Sequence, residues 1–557
     1  MIEESRVSSL RRQWKTLYDD ASTWRQHWLD VAHYIAPNSG AYLSGDMELA
    51  QSGDERMPYI INNTAGGALR TLGSGLHGGL TSPSRPWFQL GSLDPDLDDQ
   101  YEVRWWLDEV RQRLLQIFAR SNFYTSIHTL YEEVGAFGTG VMLVEEDDDT
   151  VIRCRVFTIG EYLLSQNDKY RADTLWRRMA MHARQMVDRF GIDKVSQSVR
   201  DTYEKRDDVR SFTVLHVIRP RHSWGKVSPL PGNMEYESIY FEETGDDLHG
   251  ILRESGYRTI PFVAPRWQVV GVDVYGRSPG MTALPDVKQL QVLEEDKLRA
   301  LALMIDPPLK APPSMKSRGV TIVPGSVSFV TEQEQYGAAY QISVAINQVT
   351  QERMEVENRI QREFFTDLFV SILNSGKQMT ATEVVERHDE KLLLLGPTLE
   401  RLQGEMLDPI IDRAFSIAME RGLLPEPPLD LVGKELKVEY VSLLAQAQKM
   451  VGVNAINQLA GFAGFLANVA PEVLDKMNMD EALSEYAKLI GVPPQVLRDD
   501  KAVAAIRAQR ANQQAMAAAA QAGPGLAQGA KNLSEIDPEK NTMLQNVLGG
   551  ALGAMQQ

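Results

Sequence analysis

The feature that most constrains this chain is a pair of long amphipathic runs separated by a proline-rich insert. From 281 to 305, Leu284, Val287, Leu290, Leu293, Leu298, Leu301 and Met304 keep helical spacing along one stripe. At 1.5 Å per residue that is a rod of ~35 Å. A second run over 338–373 carries Ile346, Val349, Val356, Ile360, Phe364, Leu368 and Ile372 on its apolar side, a rod of ~50 Å if unbroken. Between them lies DPPLKAPPSMKSRGVTIVPGSVSFVTEQEQ, with strand-like valine runs at 320–323 and 327–330. Long helices with one apolar stripe cannot bury enough surface alone and need neighbours. The neighbours are either other copies of the chain or its own remaining body.

At about 150 residues per domain, 557 residues suggest three to four domains. The first segment reads as helix through Trp14, Leu17, Tyr18, Trp24, Trp28, Val31 and Ile35, stopping at Pro37. A glycine-rich helix over 63–79 follows, then helices near 99–120 and 123–137. Each glycine weakens an isolated helix by about 1 kcal/mol against alanine, so close packing must compensate. The period then changes from 3.6 to 2, with strands expected near 139–146, 151–158, 174–180, 211–219, 237–242 and 260–270. A short helix is expected at 182–203, so 139–270 reads as a mixed α+β module. After a polar loop, a helix opens at Thr380 with capping-box spacing to Glu383 and stops at Gly422. Breaks are expected at Gly396-Pro397 and Asp408-Pro409. One strand at 437–441 and shorter helices to about 516 lead into an alanine-rich, then polar tail.

Composition narrows the function classes. Hydrophobic residues make up 43% and aromatics 8%, enough for real cores. The 58 Lys and Arg against 75 Asp and Glu leave a net charge of −17, which does not gather nucleic acid by bulk field. The lone Cys154 makes no intrachain disulfide or cysteine metal cluster, which fits a reducing compartment. The first residues, MIEESRVSSLRRQW, contain no apolar h-region, and no run approaches the ~18 apolar residues of a membrane span.

The chemistry motifs have plainer explanations. Gly276, Ser278 and Gly280 match the G-x-S-x-G elbow of serine hydrolases, but the next residue is Pro279, which has no N–H for an oxyanion hole. Proline in the first turn of a helix is the simpler reading. Asp94, Asp96, Asp98 and Asp99 begin like a calcium loop, yet Asp99 and Trp105 occupy the glycine and glutamate positions. They read instead as helix-start carboxylates. The acidic run 145–149 reads as a solvated hairpin tip. The glycine stretch 73–79 lacks the Lys-Ser/Thr ending of a phosphate loop and reads as packing. No catalytic constellation, metal set or cofactor motif emerges. The one basic bias is in the insert, where Lys310, Lys316 and Arg318 face Asp306 alone.

Five stretches in order carry a family likeness: GLTSPSRPWF from Gly79, VYGRSPGM from Val274, ALPDVKQLQVLEEDKLRALALMIDPPLKAP from Ala283, MTATEVVERHDEKLLLLGPTLERLQGEMLDPII from Met379 and VEYVSLLAQAQK from Val438. The chain resembles the head-to-tail connector, or portal, proteins of short-tailed bacteriophages. The resemblance implies an α+β, mainly α, elongated subunit that assembles into a ring, usually dodecameric, at one capsid vertex of the virion. It implies a wing over 1–280 and stem helices over 281–305 and 338–373, with a clip over 306–337 between them. A channel loop over 374–380, a long kinked helix over 381–422, a crown over 423–520 and a flexible tail over 521–557 complete it. The channel-loop candidates are Asn374, Ser375, Gly376, Lys377 and Gln378. Lys310, Lys316 and Arg318 are the candidates for contacting the terminase or tail adaptor. The implied partners are double-stranded viral DNA, the terminase large subunit, a tail adaptor, and the major capsid and scaffolding proteins. No membrane and no cofactor are implied, and assembly would take place in the host cytoplasm. A channel that lets a polyanion slide needs sparse phosphate contacts, with Lys377 and Gln378 among them. The alternatives are another head-tail adaptor or tail protein, which would be shorter, and a hydrolase using Ser278.

Overall fold

The computed structural model describes residues 6–43, 60–98, 100–207, 210–221, 233–244, 251–305, 309–310, 337–338, 346–374, 394–442, 444, 459, 461–466, 478, 480–483 and 503–514. The chain divides into two units, Met1–Met477 and Asn478–Gln557. Described residues are mainly helical, and every strand pairing among them is antiparallel.

Helices α1 (Arg6–Asp20) and α2 (Ser22–Tyr34) replace the single N-terminal helix that spacing suggests, breaking at Ala21. Short α3 (Gly40–Leu43) leads toward α4 (Thr64–Leu80), the glycine-rich helix. Strand β1 (Phe88–Ser92) and short α5 (Pro95–Asp98) precede α6 (Tyr101–Arg120) and α7 (Phe123–Phe137). Helix α7 is the centre of the first core: Phe123, Ile127, Leu130, Tyr131, Val134 and Phe137 are all fully buried. The rings of Trp87, Phe88, Phe118 and Phe123 pack together at its N-terminal end, with centroid separations from 4.4 to 6.5 Å.

The α+β module follows. Strands β2 (Val141–Asp147) and β3 (Val151–Phe157) form a hairpin. Strands β4 (Tyr162–Gln166) and β5 (Ala172–His182) come next in the chain. Helices α8 (Ala183–Phe190) and α9 (Gln197–Glu204) lie between β5 and β6 (Ser211–Pro220). Strands β7 (Tyr236–Glu242), β8 (Ile251–Tyr257) and β9 (Phe262–Val263) complete the module. The five-stranded sheet runs β4-β5-β6-β7-β8, and β9 joins β2 to make the order β3-β2-β9. The expected helix over 182–203 is thus two helices, separated where Gly191 turns at φ 88°. The strand expected over 260–270 shrinks to β9, because Pro261 and Pro265 flank it and have no N–H to give a ladder. Residues Met179, Met186, Val195, Val199, Val214 and Leu252 make a second core where α8 and α9 cover the sheet.

Helix α10 (Pro279–Ile305) matches the first rod. The second rod differs from its expected span. Gly337–Ala338 forms strand β11, paired with β10 (Leu309–Lys310), and helix α11 runs only Ile346–Glu363. It breaks at Phe364 and Phe365 and resumes as α12 (Thr366–Asn374). The left-handed backbone of Phe365 (φ 52°) ends the helical hydrogen-bond run without a glycine or proline to announce it. Residues 394–402 are helical through Gly396 and Pro397, then pass through a π turn, Gln403–Leu407, into α13 (Asp408–Glu420). Pro409 has no N–H for the preceding turn, and Asp408 N–H instead reaches back to Gln403 O. Strand β12 (Leu436–Tyr440) pairs with β1, bringing distant chain segments together. In the second unit, Arg507 of the helical run 503–514 grips both carboxylate oxygens of Asp480 at 2.6 and 2.7 Å.

Candidate functional site

The helical pair α10 and α11 is antiparallel and rooted at one end in the first core. Ser278 is only 2% exposed: its Oγ donates to Ala136 O at 2.7 Å and accepts from Met281 N–H at 2.9 Å. That is an N-cap, followed by proline at the first helical position. The hydroxyl sought as a nucleophile thus anchors a helix. Beside it, Gly276 N–H donates to Thr139 Oγ1 at 2.8 Å, and a Cβ on Gly276 would stand 2.2 Å from Gly138 O. Only glycine lets those two backbones pass so closely.

From this root the first turns of α10 bury Met281, Ala283, Leu284, Val287 and Leu290. A polar ladder then locks the pair. Arg359 Nε donates to Asp286 at 3.1 Å and its Nη2 to Gln289 at 3.0 Å. Arg353 meets Glu357 at 3.1 Å and Glu294 at 3.5 Å, and Lys297 adds to Glu294 at 3.3 Å. The 60–63 segment threads into this ladder. Gln291 Oε1 accepts from Ile61 and Asn62 N–H at 2.7 and 2.9 Å, and Asn62 Nδ2 donates to Glu357 at 2.9 Å. Gln291 and Glu294, 5% and 8% exposed, are therefore buried polar groups with partners.

Farther along, the character of α10 reverses. Val292, Leu298, Leu303, Met304 and Ile305 are all exposed, Ile305 at 83%. Met354 on α11 is exposed as well. A rod that turns a polar seam toward α11 and leaves apolar side chains in solvent farther along is a surface awaiting a partner.

Of the residues singled out from sequence, Asn374 is the last residue of α12, and Ser375, Gly376, Lys377 and Gln378 lie outside the described residues. Lys310 sits in β10 opposite Gly337, while Lys316 and Arg318 lie outside the described residues, as do the two valine runs of the insert. The acidic run 145–149 is a hairpin tip as expected, with Asp148 fully exposed. Its base is clasped rather than free: Arg421 donates to Asp147 O at 2.8 Å, and Arg413 lies 3.6 Å from Glu146. Asp98 accepts from Ser92 N–H at 2.7 Å and so fastens β1 instead of starting a helix. Among the described residues no group of three His, Cys, Asp or Glu side chains is placed to hold a metal, and no helix is long and apolar enough to cross a membrane. The ladder residues Asn62, Gln291 and Glu294 escaped sequence reasoning because they lie far apart in the chain. The Arg353–Glu357 pair, four apart on one helix face, was readable.

What stands here is a structural framework: a helical pair, anchored at one end and with apolar side chains exposed toward the other. The family model for bacteriophage head to tail connecting protein matches residues 7–497. A probable portal protein of Bordetella phage BPP-1 is 39% identical over 98% of this chain and 99% of its own length. The portal protein of Salmonella phage epsilon15 is 39% identical over the whole of both chains. Among solved structures, a chain from the virion of a native gene transfer agent particle covers 74% of this chain and 89% of its own. With 10% identity and a TM-score of 0.35, that likeness is too distant to bear on function. The chain belongs to the bacteriophage head-to-tail connecting, or portal, protein family. It is a structural protein of a bacteriophage.

Proposed function

We propose that this chain forms a closed, dodecameric ring of the portal type at one vertex of the phage head. The full-length likeness to two phage portal proteins carries the reading. The exposed apolar side chains along the second half of α10 support it, because heterologous contacts that close into a ring cover such surface on every subunit. In this reading residues 1–280 are the wing, 281–305 and 338–373 the stem, and 306–337 the clip. Residues 374–380 form the channel loop, 381–422 the helix joining wing and crown, 423–520 the crown and 521–557 the tail. Double-stranded DNA passes through the channel in packaging and ejection, and Lys377 and Gln378 touch it sparsely. The clip, with Lys310, Lys316 and Arg318, docks first the terminase large subunit and then the tail adaptor. The ring meets the major capsid and scaffolding proteins in the host cytoplasm during assembly.

The test is the mass of the purified chain by light scattering, with negative-stain microscopy of the same sample. A ring with a central channel is expected. A monomer at micromolar concentration, with no rings on the grid, overturns the reading.

A further inference from the structure

Where β5 runs into α8, an open cleft of about 570 Å³ is lined by Arg155, Arg177, Arg189, Met179, Met181 and Asp188. Its charge balance is unusual for a chain of net charge −17. Arg177 is paired, donating from Nε to Glu161 at 2.8 Å and lying 4.2 Å over the Phe157 ring. Asp188 is 3.9 Å from Arg184, outside the cleft. Arg189 donates to Tyr240 OH at 3.1 Å and stacks 4.9 Å over that ring, but meets no carboxylate among the described residues. Arg155, on β3, is exposed and has no described partner. Arg253, across from Tyr240 on β8, is likewise exposed without one.

The concentration of positive charge registers in a neighbour. His216 is buried, stacked 3.8 Å on Tyr240 and within hydrogen-bond reach of Ser238 Oγ at 2.9 Å. Burial first, then Arg177, Arg189, Arg155 and Arg253, hold its imidazole neutral, well below the usual histidine range.

The geometry points to a phosphate-binding site in the Arg155–Arg177–Arg189 cleft. Arg155 and Arg189 meet no carboxylate among the described residues, and with Arg177, shared with Glu161, they outnumber the cleft's lining carboxylate, Asp188, so they call for an anion with several oxygens and more than one charge. A single carboxylate offers two oxygens and one charge, enough for one fork. A phosphate group serves several at once. Met179 and Met181 add apolar surface beside the arginines, so a phosphate carried on a nucleotide or a nucleic-acid backbone fits better than the bare ion. The site does not depend on the chain forming a ring.

Calorimetric titration of the full chain at constant ionic strength tests this, with inorganic phosphate, ATP and a short double-stranded oligonucleotide as probes and hexaglutamate as the rival anion. Saturable binding of phosphate and ATP is expected. It should weaken by roughly tenfold or more in Arg155→Gln/Arg189→Gln and stay unchanged in Arg184→Gln. Arg155→Gln alone, which removes no described contact, should show part of the loss even if the double variant folds poorly. Oligonucleotide binding that falls in step marks a nucleic-acid backbone as the source. Oligonucleotide binding that persists while ATP binding falls marks a free nucleotide. No saturable phosphate binding, equal affinity in the variants, or tighter binding of hexaglutamate than of phosphate overturns the site.

Discussion

Arg266 is 4% exposed and meets Glu405 through three donors: its backbone N–H and Nε at 3.1 Å, and Nη2 at 2.8 Å. Glu405 lies in the π turn before α13, so this pair fastens the loop leading to α10 onto the long helix after the stem. Arg266 also donates to Tyr170 O at 2.9 Å. Removing one partner of a buried pair strands the other charge. Glu405→Ala should therefore cost roughly 3 kcal/mol of stability, seen as a lower Tm at fixed protein concentration. Replacing both, as Arg266→Met with Glu405→Leu, should cost less than Glu405→Ala alone. Equal or greater loss in the double variant would refute the account.

Gly75 makes the second close fit. A Cβ there would stand 2.1 Å from Phe369 Cδ1, in a ring that is fully buried. Gly75→Ala must push α12 off α4, at a cost of about 1–3 kcal/mol typical of overpacking. In the Phe369→Leu background, where the ring is gone, the same change should cost much less. A thermal-unfolding cycle of the four proteins measures the coupling, and strictly additive effects would show that the contact is not limiting.

Such contacts explain what was readable in the chain. Long helices declared themselves by period, and α10 begins within two residues of its expected start because Pro279 and the Ser278 cap are local signals. Strand β8 stayed hidden because ILRESGY is mostly polar, and its place is set by pairing with β7. The break at Phe364 and Phe365 carries no glycine or proline, so no local signal in the sequence announces it. The arginine cleft draws on β3, β5 and α8, whose meeting no local pattern records. The small residues of α4 were read as packing, and the closeness of Gly75 to Phe369 is that packing.

Glu133 carries a pH dependence. It is buried on α7, accepts from Ile159 N–H at 3.2 Å and Ser39 Oγ at 3.4 Å, and burial pushes its carboxyl from 4.5 up to about 7. The fold binds this proton more tightly than the unfolded chain does. Its contribution is therefore fully present below about pH 4.5 and lost as pH rises through about 7. Glu133→Gln keeps an acceptor for Ile159 and offers an amide donor to Ser39. It should stabilise the protein by up to about 3 kcal/mol at pH 8 and do little at pH 4.5. Urea unfolding at the two pH values measures this, and an equal effect at both would refute it.

The exposed flank of α10 supplies the prediction on which assembly turns. Val292 and Leu298 are 56% and 52% exposed, so replacing either with Asp should change the stability of an isolated subunit by no more than about 0.5 kcal/mol. In the proposed ring, the next subunit would cover these side chains. Burying one such residue contributes about 1.5–3 kcal/mol, and forcing an aspartate into its place adds a desolvation cost. Each 1.4 kcal/mol is about tenfold in affinity, and a closed ring repeats the contact at every interface. Val292→Asp/Leu298→Asp should therefore keep the far-UV dichroism of the parent while shifting its mass from ring to smaller species at micromolar concentration. If the variant retains the parent's mass and resists salt equally well, this flank is not where neighbouring subunits meet.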